Sequence, residues 1–228
     1  PRHYGAVECF NRIWPHRWSI ALKEDGRDYR MLCIEGVYMQ FFQPLEPEDF
    51  ALIDKLDIQP TQENLGLFCQ QNSINVREQG ACWREGWPFY RNELNTANGI
   101  VSFCEQSPAS EQNACFNTVL SIKGRGSISN PDSLILICNN LSLDLQQKCF
   151  GIGSSTILEE NRRAIDQSIA ICKNATEDSV VAACYDRLIL TASVAFPKGS
   201  DEAKTFCNAL SYSWQQECFR KTLTSPQS

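Results

Sequence analysis

The chain has 228 residues, 43% of them apolar and 21% charged, with a formal net charge of −6 and a pI near 5.1. That apolar share supports a packed core and argues against disorder. An acidic balance with no Lys/Arg block argues against nucleic acid as a partner, because such binding rests on phosphate neutralisation. No apolar run approaches the roughly 18 residues of a membrane span; the best, Leu188 to Phe196, carries Thr191 and Ser193 and reads as a core helix.

The chain opens at Pro1 with neither Met nor a signal-like segment, which reads as a processed chain and leaves the compartment to be decided by other features. Residues 1–60 read as an atypical repeat or cap. Cys9 is followed by Phe10, Cys33 lies 24 residues on, and by elimination the two pair with each other. Between them, Trp14, His16, Arg17 and Trp18 form the densest polar-aromatic cluster. It is a candidate binding surface, since Trp and Arg are favoured at interfaces, or else a capping segment whose rings cover the first hairpin. Pro44 and Pro47 lead into Glu48 to Leu56, a predicted short helix that Pro60 closes.

From residue 61 to 228 the cysteines follow two interleaved series. Cys69, Cys104, Cys138, Cys172 and Cys207 step by 35, 34, 34 and 35 residues, and Cys82, Cys115, Cys149, Cys184 and Cys218 by 33, 34, 35 and 34. Each member of the second series precedes an aromatic residue: Trp83, Phe116, Phe150, Tyr185 and Phe219. Gln or Ala often precedes it. An apolar segment leads into each first-series Cys, as in Leu65 to Phe68 or Leu134 to Ile137. A short polar stretch follows, and then a second helix through the second Cys.

The predicted architecture is therefore all-α, a right-handed α/α solenoid of about five helical hairpins after an atypical N-terminal cap. Helix starts are expected at Ser107 with Pro108, at Asn174 with Glu177 as a capping box, and at Asn130 and Ser200. Lys123 to Ser127, Arg91 to Gly99 and Pro197 to Ser200 read as breaks. In the Cys138 unit the second helix is expected to run from Asp144 past Ile157, with Gly151 and Gly153 counting against it.

Twelve cysteines without any C-x-x-C, and with only His3 and His16 as histidines, exclude thioredoxin-like, c-type haem and close-paired zinc chemistry. They imply disulfides in an oxidising compartment, so that the chain is secreted, periplasmic or at the cell surface. Residues equidistant from the turn of an antiparallel hairpin face each other, which predicts the bonds Cys69–Cys82, Cys104–Cys115, Cys138–Cys149, Cys172–Cys184 and Cys207–Cys218 beside Cys9–Cys33.

A period near 34 residues with Cys clamping each helix pair resembles tetratricopeptide-type and Sel1-like cysteine-rich repeat proteins of bacteria, although the Trp-Leu-Gly-Tyr and closer-Cys signatures are missing. The stretches Cys33-Ile34-Glu35-Gly36 and Cys149-Phe150-Gly151-Ile152-Gly153 are similar to those of secreted bacterial Cys-repeat proteins. The resemblance implies architecture and transfers no active site.

Trp87 and Tyr90, beside Gly86 and Pro88, are a second candidate binding surface, while Trp83 occupies the aromatic core position. Glu159-Glu160, Glu177-Asp178 and Asp201-Glu202 read as solvated helix faces or first turns rather than a glycosidase pair. No nucleophile elbow, P-loop or dinucleotide fingerprint occurs, so no catalytic residue, metal ligand or cofactor is assigned. Asn140-Leu141-Ser142 and Asn174-Ala175-Thr176 are glycosylation sequons in predicted inter-helix turns, though two such tripeptides are near chance for this length. The expected function is an extracytoplasmic scaffold that presents stacked helices to another protein, as a subunit of a larger assembly. The alternatives are an enzyme or accessory subunit with a small-molecule pocket near the N-terminal aromatics, and a thiol-rich metal-binding protein.

Overall fold

Residues four and one before each first-series cysteine share one helix face with the cysteine itself, apolar in every unit except for Ser168 before Cys172, and this spacing is what builds the core. Leu65 and Phe68, Ile100 and Phe103, and Leu134 and Ile137 are all buried around their cysteines. The computed structural model describes residues 29–44, 47, 50, 53–54 and 59–223, without the side chains of 29–33 and 223. Among these residues the secondary structure is eleven α-helices and three short 3-10 turns, with no strand. The chain divides into two compact units, Pro1–Phe116 and Asn117–Ser228.

In the first unit, α1 (Tyr29–Phe42) packs on α3 (Val76–Glu85), which forms a hairpin with α2 (Leu65–Asn72). An Asn75/Glu78 capping box starts α3: Glu78 N–H donates to Asn75 Oδ1 at 3.0 Å and Asn75 Nδ2 to Glu78 Oε1 at 3.2 Å. The segment expected as a polar joint, Arg91 to Gly99, follows a 3-10 turn at Trp87–Tyr90 and contains a second at Glu93–Asn95. Helix α4 (Ala97–Glu105) begins inside it, because Thr96 Oγ1 accepts from Gly99 N–H at 3.1 Å. Gly99 is required there, since a Cβ would stand 1.9 Å from the Glu93 carbonyl oxygen.

Helix α5 (Gln112–Gly126) starts later than Ser107-Pro108 suggests. Pro108 leads into a 3-10 turn, Ala109–Glu111, and Ser107 Oγ is buried without a partner. The helix also runs through Lys123 to Gly126, which read as a break. The following Ser127 ends it by donating its hydroxyl to Lys123 O at 2.7 Å.

The second unit holds α6 (Pro131–Asn139), α7 (Leu143–Glu160), α8 (Ile165–Lys173), α9 (Asp178–Ala195), α10 (Asp201–Ala209) and α11 (Tyr212–Leu223). Here α6, α8 and α10 contact each other in sequence, α7, α9 and α11 do the same, and each pair α6–α7, α8–α9 and α10–α11 closes a hairpin. The glycines of α7 do not break it, because neighbours approach where they lie. A Cβ on Gly153 would meet Leu134 Cδ2 at 2.5 Å, and one on Gly124 of α5 would meet Thr156 Cβ at 3.0 Å. Gly151 to Leu158 are buried without interruption.

Cap assignments divide. Ser200 caps α10 by accepting from Ala203 N–H at 3.1 Å. Asn130 precedes Pro131 at the start of α6 but its side chain makes no cap bond. Asn174 ends α8 rather than starting α9, since its amide reaches back to Ala170 O, and Glu177 precedes α9. Leu188 to Phe196 lies almost wholly in α9, with one face buried and Leu190 and Val194 exposed.

Five disulfides close five hairpins: Cys69–Cys82, Cys104–Cys115, Cys138–Cys149, Cys172–Cys184 and Cys207–Cys218, all with Cα atoms 5.5 Å apart. These are the pairs that hairpin symmetry about the turn predicts, and all ten sulfur-bearing residues are buried. Each bond spans only 11 to 13 residues, which in the loop-entropy model stabilises by about 3 kcal/mol per bond. The Cys9–Cys33 bond and the tail after Leu223 fall outside the described residues or side chains; of the predicted Glu48–Leu56 helix only Phe50, Ile53 and Asp54 are described, with Asp54 N–H donating to Phe50 O at 2.9 Å.

Candidate functional site

The first unit concentrates the charged and aromatic chemistry of the chain around Arg84 of α3. Its side chain is 7% exposed, and it pairs with Glu35 of α1 and, at 3.3 Å, with Glu111 of the 3-10 turn before α5. One guanidinium thus ties three separate chain segments together. Gly80 lies one turn before Arg84 on the same helix face, and a Cβ there would meet Glu111 Cγ at 2.3 Å. The glycine is what lets Glu111 lie across α3 and reach the guanidinium.

A third carboxylate completes the cluster. Burial, with repulsion from Glu35, pushes the Glu85 carboxyl up to about 7 against the pull of Arg84. Two carboxylates already occupy the guanidinium, so the group holds elements together, and Glu85 is its titrating member near neutral pH. Nothing in the sequence pointed to this cluster. An arginine two residues after a second-series cysteine is no signal, because Arg220 holds the same position in the last hairpin.

The first unit also holds two groups of packed rings. Trp83 stacks on Phe103 at 5.3 Å and donates its indole N–H to Phe103 O at 2.8 Å, and Tyr90 contacts both rings. Phe42 of α1 meets Phe68 and Phe89 edge-on. Tyr38 of α1 donates its hydroxyl to Asn72 O at 3.0 Å. Tyr90 is half-buried against α3 and α4, and its hydroxyl donates to Gln62 O at 2.9 Å. Trp87 is half-buried, with Arg91 5.3 Å over its ring. Trp14, His16, Arg17 and Trp18 lie outside the described residues.

The adjacent carboxylates are solvated. Glu159, Glu160, Glu177, Asp178, Asp201 and Glu202 are all exposed; Asp178, Asp201 and Glu202 sit in first turns, where the helix dipole favours them. Glu160, at the end of α7, pairs with Arg125 at 2.9 Å. No group of three or more His, Cys, Asp or Glu suited to a metal occurs among the described residues.

Two further features recur at fixed distances from the cysteines. The glutamine three residues before the second cysteine bridges the end of the preceding helix. Gln112 Nε2 donates to Glu105 O and Ser107 O, Gln146 Nε2 to Asn139 O and Leu141 O, and Gln215 Nε2 to Asn208 O and Leu210 O. All three hairpins have 11-residue spacing, so the glutamine meets the same two carbonyls each time.

Apolar residues are also left exposed at equivalent positions of different hairpins. Leu67 and Leu136 lie two residues before the first cysteine; Val76, Leu143 and Tyr212 lie six before the second. In the first hairpin Leu67, Ile74 and Val76 are 51%, 63% and 53% exposed.

Comparison of the chain with family models, curated proteins and solved structures finds no match, so the reading rests on the chain's own chemistry.

Proposed function

We propose that this chain is an extracytoplasmic interaction or scaffolding protein, whose hairpins stack as a right-handed α/α solenoid and whose first hairpin presents an apolar tip to another protein. The observation that carries the reading is the exposure of Ile74 and Val76 at the turn of the hairpin closed by Cys69–Cys82, with Leu67 exposed further back along α2. Apolar side chains held out on a covalently closed hairpin gain nothing for the fold and are available to a partner surface. The rings, the Arg84 cluster and the disulfide hold that tip rigid, which lowers the entropy lost on binding.

The five local disulfides support an oxidising compartment, where such bonds form and persist. They take up ten of the twelve cysteine thiols, which favours the scaffold reading over a thiol-rich metal protein. No helix among the described residues is long and apolar enough to cross a membrane.

The test is affinity isolation with the full chain from the extracytoplasmic fraction of its source, comparing wild type with Leu67→Ser/Ile74→Ser. Wild type is expected to retain one protein at fixed stoichiometry, and the double variant, with unchanged helix content, to lose it. Equal retention by both, or stoichiometric binding of a small molecule instead, would remove the scaffold reading.

A further inference from the structure

The two sequons occupy the same place in successive hairpins, and the structure separates what the fold needs from what it does not. Asn140 and Asn174 each stand two residues after a first-series cysteine, as the C-caps of α6 and α8, and both are exposed. Each amide donates to the carbonyl four residues back, Asn140 Nδ2 to Leu136 O and Asn174 Nδ2 to Ala170 O, both at 2.8 Å. Gln106 makes the same bond to Ser102 O at 3.1 Å in the hairpin before. An amide at this position is therefore explained by capping, and glutamine serves as well as asparagine.

The hydroxyl two residues further on is not explained that way. Ser142 holds the N-cap position of α7 but its side chain makes no cap bond. Thr176 is exposed, and the residue at the α9 N-cap is Glu177. At Asn140 there is also something to cover. Leu136, whose carbonyl the amide touches, is 67% exposed, and Leu143, three residues on, is 50% exposed. The counterparts around Asn174 are Ala170 and Glu177, which present no such surface.

We propose that Asn140 and Asn174 are N-linked glycan acceptors, and that the glycan on Asn140 shields Leu136 and Leu143. In the transfer, Asn Nδ2 attacks the anomeric carbon of a polyprenyl-diphosphate-linked oligosaccharide. The C1–N bond forms, the C1–O bond to the diphosphate breaks, one Nδ2 proton passes to a base of the transferase, and the polyprenyl diphosphate leaves. The substituted nitrogen keeps one N–H, so the bond to Leu136 O survives. This hairpin thereby differs from the first, where the equivalent Leu67 and Val76 have no sequon beside them. The proposal rests on the extracytoplasmic reading.

The experiment is tandem mass spectrometry of peptides from the full chain, produced in and isolated from its source, with cysteine oxidation read on the same sample. Glycan mass is expected on the Asn140 and Asn174 peptides. Ser142→Ala and Asn140→Gln should each remove it from position 140 alone, with thermal stability held because glutamine keeps the cap. Both variants should bind more of a hydrophobic fluorescent dye, and Leu136→Ser/Leu143→Ser in the Asn140→Gln background should reverse the gain. Complete recovery of unmodified Asn140 and Asn174 peptides from oxidised protein overturns the glycan proposal and leaves the compartment reading standing. Recovery of free thiols overturns both.

Discussion

The two units use the same covalent device, and both pack rings between helices, Tyr185 on Trp214 and Phe196 on Phe206 in the second, but they differ in what else fills the space. In the first, rings and ion pairs do the packing: Trp83, Tyr90 and Phe103 in one cluster, Phe42, Phe68 and Phe89 in another, and Arg84 between Glu35 and Glu111. In the second, small residues let helices approach closely, with Gly151 to Thr156 buried along α7 and Leu134 lying against Gly153. A disulfide fixes where two helices of a hairpin meet, but it is indifferent to what lies beside the hairpin. Lateral packing is free to be ionic in one unit and steric in the other.

The comparison is broken most severely at Arg84. Arg84→Ala leaves Glu35, Glu85 and Glu111 without their shared cation in a partly buried site, and is expected to cost about 3–5 kcal/mol. Urea unfolding that follows the first unit's tryptophans measures it. A loss below about 1 kcal/mol would mean the cluster is solvated.

The corresponding steric change in the second unit is Gly153→Ala. The added methyl displaces fully buried Leu134, and although alanine favours helix, overpacking is expected to win by about 1–3 kcal/mol. Thermal unfolding of the variant checks the sign. A more stable variant would show that Leu134 has room to move.

Titration sharpens the contrast, because among the described residues the carboxyl raised to about 7 from 4.5, that of Glu85, lies in the first unit. The folded state holds the Glu85 proton more tightly than the unfolded state does, so stability falls as pH rises from about 4.5 to about 7 and is flat for this group above that. Glu85→Gln removes the penalty, and is expected to stabilise by up to about 2–3 kcal/mol at pH 8 and by little at pH 4.5. Paired denaturant curves at the two pH values read the difference, and an equal effect at both would exclude titration of Glu85 as its cause.

The smallest effect expected is common to both units. Gln112→Ala and Gln146→Ala each strip two helix-end carbonyls of a donor, and each is expected to cost about 1 kcal/mol. Val181 stands at this position in the Cys172 hairpin, where the spacing is 12 rather than 11, so Val181→Gln should recover little. Chemical denaturation of the three variants side by side tests whether loop length selects the glutamine.

Much of the fold is legible along the chain because it is local. The 34-residue beat of the cysteines, the aromatic after each second cysteine and the apolar face before each first one encode hairpins and their bonds. Boundary errors came where a local signal had two uses. Asn174 and Glu177 look like a helix start, but the amide is spent closing the helix before it. Gly124 and Gly126 look like a break, but α5 runs through both, and Gly124 lies in close contact with α7. The glutamines stood out as a pattern with no role, since their carbonyl partners appear only once the turn is folded.

Hairpin formation and disulfide pairing were determined by the sequence alone, since partners 11 to 13 residues apart are brought together by helix geometry and a short turn. What only the tertiary structure decided was which side chains meet across hairpins: Glu35 with Arg84 at a separation of 49 residues, and Trp83 with Phe103 at 20. Such contacts have no period to betray them. They depend on how helix faces are turned toward one another, and on glycines such as Gly80 that give a neighbour room.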